Sequence, residues 1–354
     1  MGKKNRNSPR RVAQAAAITL LLAALAGLTG LTGLTGCQRS AESGCRPDPA
    51  ADAPGPPVAV QHLEKSFLRI KTAADARQFL DAYPGFARRY LQREPGREAQ
   101  LLGLMANMAP NPALQQLGRE TAAAFPDSAA LGRELGAFFG RTRFYFPDFK
   151  APKVVTFNSG LGFIGKDIFA NDSLLVVSTE WFAGPKASRR PDLPGYMLRR
   201  YAPAYVLPAV ALAVASKYNR HELRANTVLD AMLREGKALY FAGQVLPCTP
   251  DSLLLGYTGK ELASLAANEP RVWGHFLEKD LLYSTTPFLV QKYVGERPNV
   301  PEIDRTCPGR VGQWVGLQIV RKYVAAHPDV TLAKLMGETN AQRILNDSHY
   351  RPRK

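Results

Sequence analysis

The chain is 354 residues long, 45% apolar and 21% charged. That is too apolar for a disordered protein, and with no series of long apolar runs it is not a polytopic membrane protein. Lys and Arg outnumber Asp and Glu by 46 to 30, a net charge of +16. Such an excess favours anionic surfaces such as phospholipid head groups or an acidic partner; no recognition motif accompanies it, so nucleic acid is not an expected partner.

The first 36 residues read as an export signal. A basic stretch, Met1 to Arg11, holds five positive and no acidic residues, so +11 remains after it. An apolar core of about a dozen residues, Ala15 to Ala26, is too short to span a bilayer, which takes roughly 20. It ends on Leu34-Thr35-Gly36-Cys37, a lipobox: small residues admit the signal peptidase, and the Cys37 thiol carries the diacylglycerol. Residues 1–36 are thus expected to be a lipoprotein signal peptide, with the mature chain anchored to a membrane through acyl groups, palmitate among them, on Cys37. Gln38 in place of Asp lacks the enterobacterial inner-membrane retention signal, which favours the outer membrane. The expected address is the cell envelope, facing the periplasm.

Residues 37–57 form a Pro-rich tether, with Pro47, Pro49, Pro54, Pro56 and Pro57 among Ala, Asp and Gly. From Val58 the chain reads as one globular domain, 58–354. Val58 to Val60 suggests a short strand, then helices to about Phe146. The clearest starts behind Asp127, with Leu131, Leu135, Phe138 and Phe139 on one face. The period then changes to two. Lys153 to Phe157, Ile168-Phe169 and Leu174 to Ser178 are β-rich runs, separated by turn signals at Gly160-Leu161-Gly162 and Asn171-Asp172. These predict a small, mostly antiparallel sheet. Helices are expected again over roughly 198–217, 226–244, 258–267, 270–283, 311–326 and 340–347. The fold class is α+β, mainly helical.

Few residues assemble into recognisable chemistry. His221-Glu222 begins like a zinc-protease motif, but Ala225 stands where the second His belongs. His62, His275, His327 and His349 are scattered, and nucleophile-elbow and phosphate-loop patterns are absent. No catalytic residue, metal ligand, cofactor or small-molecule substrate is therefore expected. In the oxidising exported compartment Cys248 and Cys307 are a candidate disulfide, since Cys45 lies in the tether; two buried free thiols are the alternative.

Two segments stand out. In Met232 to Phe241, helical spacing turns Leu229, Met232, Leu233 and Tyr240 to the core and Glu235 and Lys237 to other faces. Gly236 inside that helix costs about 1 kcal/mol against alanine, which implies something approaching its backbone closely. In Cys307 to Tyr323, a block that includes Arg310, Gly309, Gly312 and Gly316 make a helix start with a smooth face, while Trp314, Ile319 and Tyr323 supply bulk elsewhere. Close helix packing and a binding cleft both fit such a face.

Those segments, with the lipobox, resemble the gliding-motility lipoprotein GldB family of the Bacteroidetes. The resemblance covers about residues 58–354. It is carried by Phe144 to Pro147, Pro152 to Val155, Gly236 to Tyr240, Gly256 to Thr258, Glu269 to Trp273 and Leu281 to Tyr283. The longest block is Pro308 to Val320, and the ending at Ile344 to Asn346 and Tyr350 to Lys354 also fits. Cys307 departs from it, where the family more often has Ser. The resemblance implies a cell-envelope component that supports gliding through contacts with other machinery proteins, without catalysis. The element order is also similar to that of gluzincin-type zinc peptidases, with Glu235 at the third-ligand position. The helix near 198–217 offers no His or Glu, which would make this a degenerate zincin-like scaffold. The competing expectation is a zincin-like metallopeptidase or other envelope hydrolase; a weaker third is a carrier of an envelope ligand.

Overall fold

The computed structural model describes residues 55–221 and 226–352. The leader, Cys37 and Cys45 lie outside that range.

Strand β1 (Val60–His62) is followed by helices α1 (Glu64–Phe67), α2 (Ala73–Ala82), α3 (Pro84–Arg89), α4 (Glu98–Met108), α5 (Pro112–Ala124) and α6 (Ala130–Tyr145). Strands β2 (Lys153–Phe157), β3 (Ile168–Ala170) and β4 (Leu174–Ser178) come next. The remainder is helical: α7 (Gly195–Leu198), α8 (Val206–Tyr218), α9 (Val228–Val245), α10 (Asp251–Leu255), α11 (Gly259–Ala267) and α12 (Glu269–Glu278), then α13 (Pro287–Tyr293), α14 (Val311–Ala326), α15 (Leu332–Gly337) and α16 (Ala341–Ser348). The α+β class and the dominance of helix are as the sequence reading had them.

Local chemistry sets the boundaries. Asp127 Oδ1 accepts from the amides of Ala129 and Ala130 ahead of α6. Thr227 with Asp230, and Thr258 with Glu261, close reciprocal caps on α9 and α11. Asn171 Oδ1 takes the amides of Ser173 and Leu174, folding β3 back on β4. The helix expected over 198–217 is two, α7 and α8, because Pro203 sits between them in a 3-10 turn.

The sheet order is β1-β2-β4-β3. Here the expected mostly antiparallel pairing is corrected: β1–β2 and β2–β4 are parallel, and only the β3–β4 hairpin is antiparallel. The helices between β1 and β2 return the chain to the same end of the sheet, and β4 inserts between β2 and β3. Alternation along the strands then builds two cores. Val154, Leu175 and Val177 face a large cluster with α6, α8, α9 and α14. Val155, Phe157, Leu174 and Val176 face a smaller one with α1 to α5, where Phe67, Phe79, Phe86 and Phe157 interlock. Among the described residues no helix is long and apolar enough to cross a membrane.

The candidate Cys248–Cys307 disulfide is not formed. Cys307 is a free thiol, 5% exposed, and burial pushes its pKa up to about 12. Cys248 lies exposed past the end of α9 and is disulfide-bonded, but not to Cys307.

Candidate functional site

The segments singled out in the sequence meet along α9 and α14. A Cβ on Gly236 would lie 2.7 Å from Leu317 N, and one on Gly316 would overlap the backbone carbonyl of Met232. Gly312 faces Tyr293 O, Val294 and Met232 in the same seam, and Trp314 is buried beside it. The smooth face is therefore closed by helix on helix, and no cleft runs along it. Gly236, Gly309, Gly312, Trp314 and Gly316 are interior, not a surface for partners. Tyr240 is half-buried against the same core. Glu235 is partly exposed and pairs with the adjacent Arg234 at 3.5 Å.

Lys237 is not turned away from the core, as its helical angle suggested; it is 2% exposed. Helix α9 is buried on nearly every face, so the angle around its axis does not decide exposure. The Lys237 ammonium donates to three carbonyls, Arg220 O at 2.8 Å, Glu338 O at 2.6 Å and Met336 O at 3.4 Å. It thereby holds the end of α15 to the end of α8. Burial pulls its pKa down to about 8. Lys237→Met is expected to leave those carbonyls unpaired and cost about 2 kcal/mol. Faster amide exchange in α15 than in α14 would locate the loss; unchanged exchange would refute the clasp.

Arg310 caps α14 from the left-handed region, φ 61°. Its guanidinium donates to Leu255 O, lies 3.6 Å from Glu296 and sits 5.7 Å above the Tyr257 ring, whose hydroxyl donates to Gly309 O at 2.8 Å. Burial and the neighbouring Arg200, itself paired with Glu296 at 2.8 Å, hold the Arg310 pKa below its usual value. The blocks Gly256 to Thr258 and Pro308 to Val320 thus converge on one internal node that clamps α10 to α14.

The side chains best placed to meet a ligand lie elsewhere, at the carboxyl ends of the parallel strands β2 and β4, where ligands of open α/β sheets characteristically bind. The chain leaves β2 through Asn158-Ser159 and runs over Gly160-Leu161-Gly162 to Lys166. Residues 160, 161 and 162 all have positive φ, costly for Leu161 and free for the glycines. Glu180, just past β4, staples this loop: one carboxylate oxygen accepts from Ser159 N at 2.6 Å, Ser159 Oγ at 2.7 Å and Leu161 N at 3.3 Å. Trp181 Nε1 donates to the same Ser159 hydroxyl at 3.1 Å. Glu180 is 1% exposed, and desolvation raises its pKa to about 7. Among the described residues, its second oxygen and both polar atoms of the fully buried Asn158 side chain find no hydrogen-bond partner.

Tyr90 holds the far end of the loop. Its hydroxyl donates to Lys166 O at 2.8 Å, accepts from Lys166 N at 3.0 Å and lies 2.8 Å from Ser178 Oγ. Burial lifts its pKa to about 12. The loop so fixed presents Phe163, 68% exposed. Phe163 and Leu104 stand between two open grooves, one of about 380 Å³ on the Tyr90 side and one of about 480 Å³ over α4 and α5. The sequence reading marked this stretch only as a turn. Its signal was an aromatic residue next to closely spaced glycines, but Glu180, Tyr90 and the groove walls come from distant parts of the chain.

Among the described residues no group of three or more His, Cys, Asp or Glu is disposed to hold a metal. His221 is exposed, and α8 contributes neither His nor Glu opposite Glu235. Comparison with curated proteins finds no match, nor does comparison with solved structures. A family model described as gliding motility protein GldB matches residues 45–352, most of the chain. The match takes in both cores, the α9–α14 seam, the Arg310 node and the loop stapled by Glu180, and the chain belongs to the GldB family of gliding motility proteins.

Proposed function

We propose that the protein is a cell-envelope lipoprotein that supports gliding motility by contact with other envelope proteins rather than by catalysis. The observation that carries this reading is the family match over residues 45–352. The lipobox Leu34-Thr35-Gly36-Cys37 upstream supplies the anchor, and the +11 of the chain after it suits a body held near anionic lipid. Gln38 favours the outer membrane, facing the periplasm. Contact surface is available: Tyr283 and Phe288 are 58% and 67% exposed in and beside α13, with Leu277 at 50% on α12. Isolated exposed apolar residues are ordinary, but several along neighbouring turns suit a partner.

The anchor and the mode of action are tested separately. Cys37→Ser is expected to leave an unprocessed precursor with its leader attached, no incorporation of labelled palmitate, and cells that do not glide. Palmitate in that variant would refute the anchor. For the mode of action, zinc measured on the purified protein is expected well below one per chain. Stoichiometric zinc, with a hydrolytic activity that Glu235→Ala abolishes, would overturn the non-catalytic reading in favour of the zincin-like one.

A further inference from the structure

We propose that the two grooves flanking Phe163 form one binding site for a single-chain anionic amphiphile, a lipid monomer with an alkyl tail and an anionic head. The larger groove is the tail's: Leu104, Met108, Leu114, Leu117, Leu161 and Phe163 line it. Its volume, about 480 Å³, falls within the usual range of small-ligand sites, roughly 300–1,000 Å³. The smaller groove continues past Leu104 and Phe163 and is the head's, with Arg89, Arg97 and Lys166 on its walls. Arg189 also borders the apolar groove.

Charge selects the occupant. No Asp or Glu lines either groove. Ten other arginines pair with carboxylates within 4 Å; among the described residues Arg89, Arg97, Lys166 and Arg189 make no such pair, and all four are exposed. Glu120 accepts from the amide and hydroxyl of Ser188, the residue before Arg189. An apolar trough bordered by uncompensated cations is complementary to an anion with an alkyl chain. Neither groove has the carboxylate lining that would favour a cationic head, and Tyr90, which lines the head groove, has its hydroxyl tied to Lys166 and Ser178. The loop stapled by Glu180 and Tyr90 fixes Phe163 and Lys166 at the junction between tail and head, so the site is preformed. The inference is independent of the motility reading and of the anchor on Cys37.

The test uses the full chain in its native membrane. A lysophosphatidylglycerol carrying a photoreactive diazirine in its acyl chain is added below its micellar concentration, and the crosslinked peptides are mapped by mass spectrometry. Labelling is expected to saturate and to concentrate in residues 101–117 and 160–164. Unlabelled lysophosphatidylglycerol should compete, with the phosphatidylcholine analogue of equal chain length competing roughly tenfold less well. Phe163→Asp, at an exposed position, should abolish labelling of the groove without changing the melting temperature. Arg89→Ser with Arg97→Ser should remove the preference for the anionic head and leave tail labelling in place. Labelling spread evenly over the surface, equal competition by the zwitterionic analogue, or full labelling of the Phe163→Asp variant would each overturn the proposal.

Discussion

Alanine at Gly316 is expected to unfold the protein at temperatures where the parent is stable. The added methyl overlaps the carbonyl of Met232, which belongs to the backbone of α9 and cannot rotate aside. Relief requires α9 and α14 to separate, and these two helices carry much of the larger core: Met232, Leu233, Trp314, Val315, Ile319 and Val320 are all buried between or around them. Overpacking in a close-fitted core costs about 1–3 kcal/mol, and a backbone clash belongs at the upper end. At about 3 kcal/mol the melting temperature should fall by on the order of 10 °C. Gly236→Ala meets the same seam from the other side, so the two costs should not add, since once the helices part the second methyl meets less. Thermal denaturation of both single variants and the double variant reads this directly. Additive losses, or a Gly316→Ala protein as stable as the parent, would show that the seam is slack.

The second large effect is in pH. Glu180 holds its proton to about pH 7 in the folded protein, whereas an exposed glutamate releases it near 4.5. Below 4.5 the group is neutral in both states and its burial is not penalised. Between 4.5 and 7 the unfolded chain ionises while the folded chain does not, so stability falls as pH rises; above 7 the loss is complete. The difference corresponds to on the order of 3 kcal/mol. Glu180→Gln keeps an oxygen for Ser159 and Leu161 and removes the titration. It is expected to match the parent near pH 4.5 and to exceed it above pH 7, with melting temperature against pH as the measurement. Parallel curves for the two proteins would mean that Glu180 is not the group responsible. Lys237 adds a slope of opposite sign at higher pH: its folded pKa of about 8 lies below that of a free lysine, so stability from this group rises as pH climbs through 8 toward 10.5.

The elements were more legible in the sequence than their arrangement. β2 and β4 have the expected boundaries because each is a run of β-branched and apolar residues between turn signals. Helix α14 begins and ends as read, since its apolar period and glycines are local. Strand order was not legible. Val154 pairs directly with Leu175 although β3 lies between them in sequence, and nothing in either pentapeptide says whether the neighbour runs parallel. Gly236 and Gly316 declared that a backbone approaches closely, though not that they meet each other. Lys237 was misplaced because α9 is packed on most of its sides and leaves only a narrow outside face, which Arg234 and Glu235 occupy. The grooves beside Phe163 were invisible for a similar reason: their walls come from α3, α4, α5, the loop after β2 and Arg189, and no window of sequence holds more than a fragment of them.

The first described residues decide which contact a pull on the amino-terminal side of the body meets first. Gly55 to Val58, counted by sequence with the tether or at its end, lie against α6: Val58 N donates to Gly132 O at 3.0 Å, and Gly132 and Gly136 leave room for the carbonyls of Val58 and Pro56. These residues are committed to the body and cannot pay out as slack. They tie the amino-terminal end of the described body to α6 ahead of strand β1, so a pull on Gly55 meets the glycine groove of α6 before it meets the sheet. A bulky residue at Gly132 or Gly136 would release that docked segment while leaving β1 paired with β2.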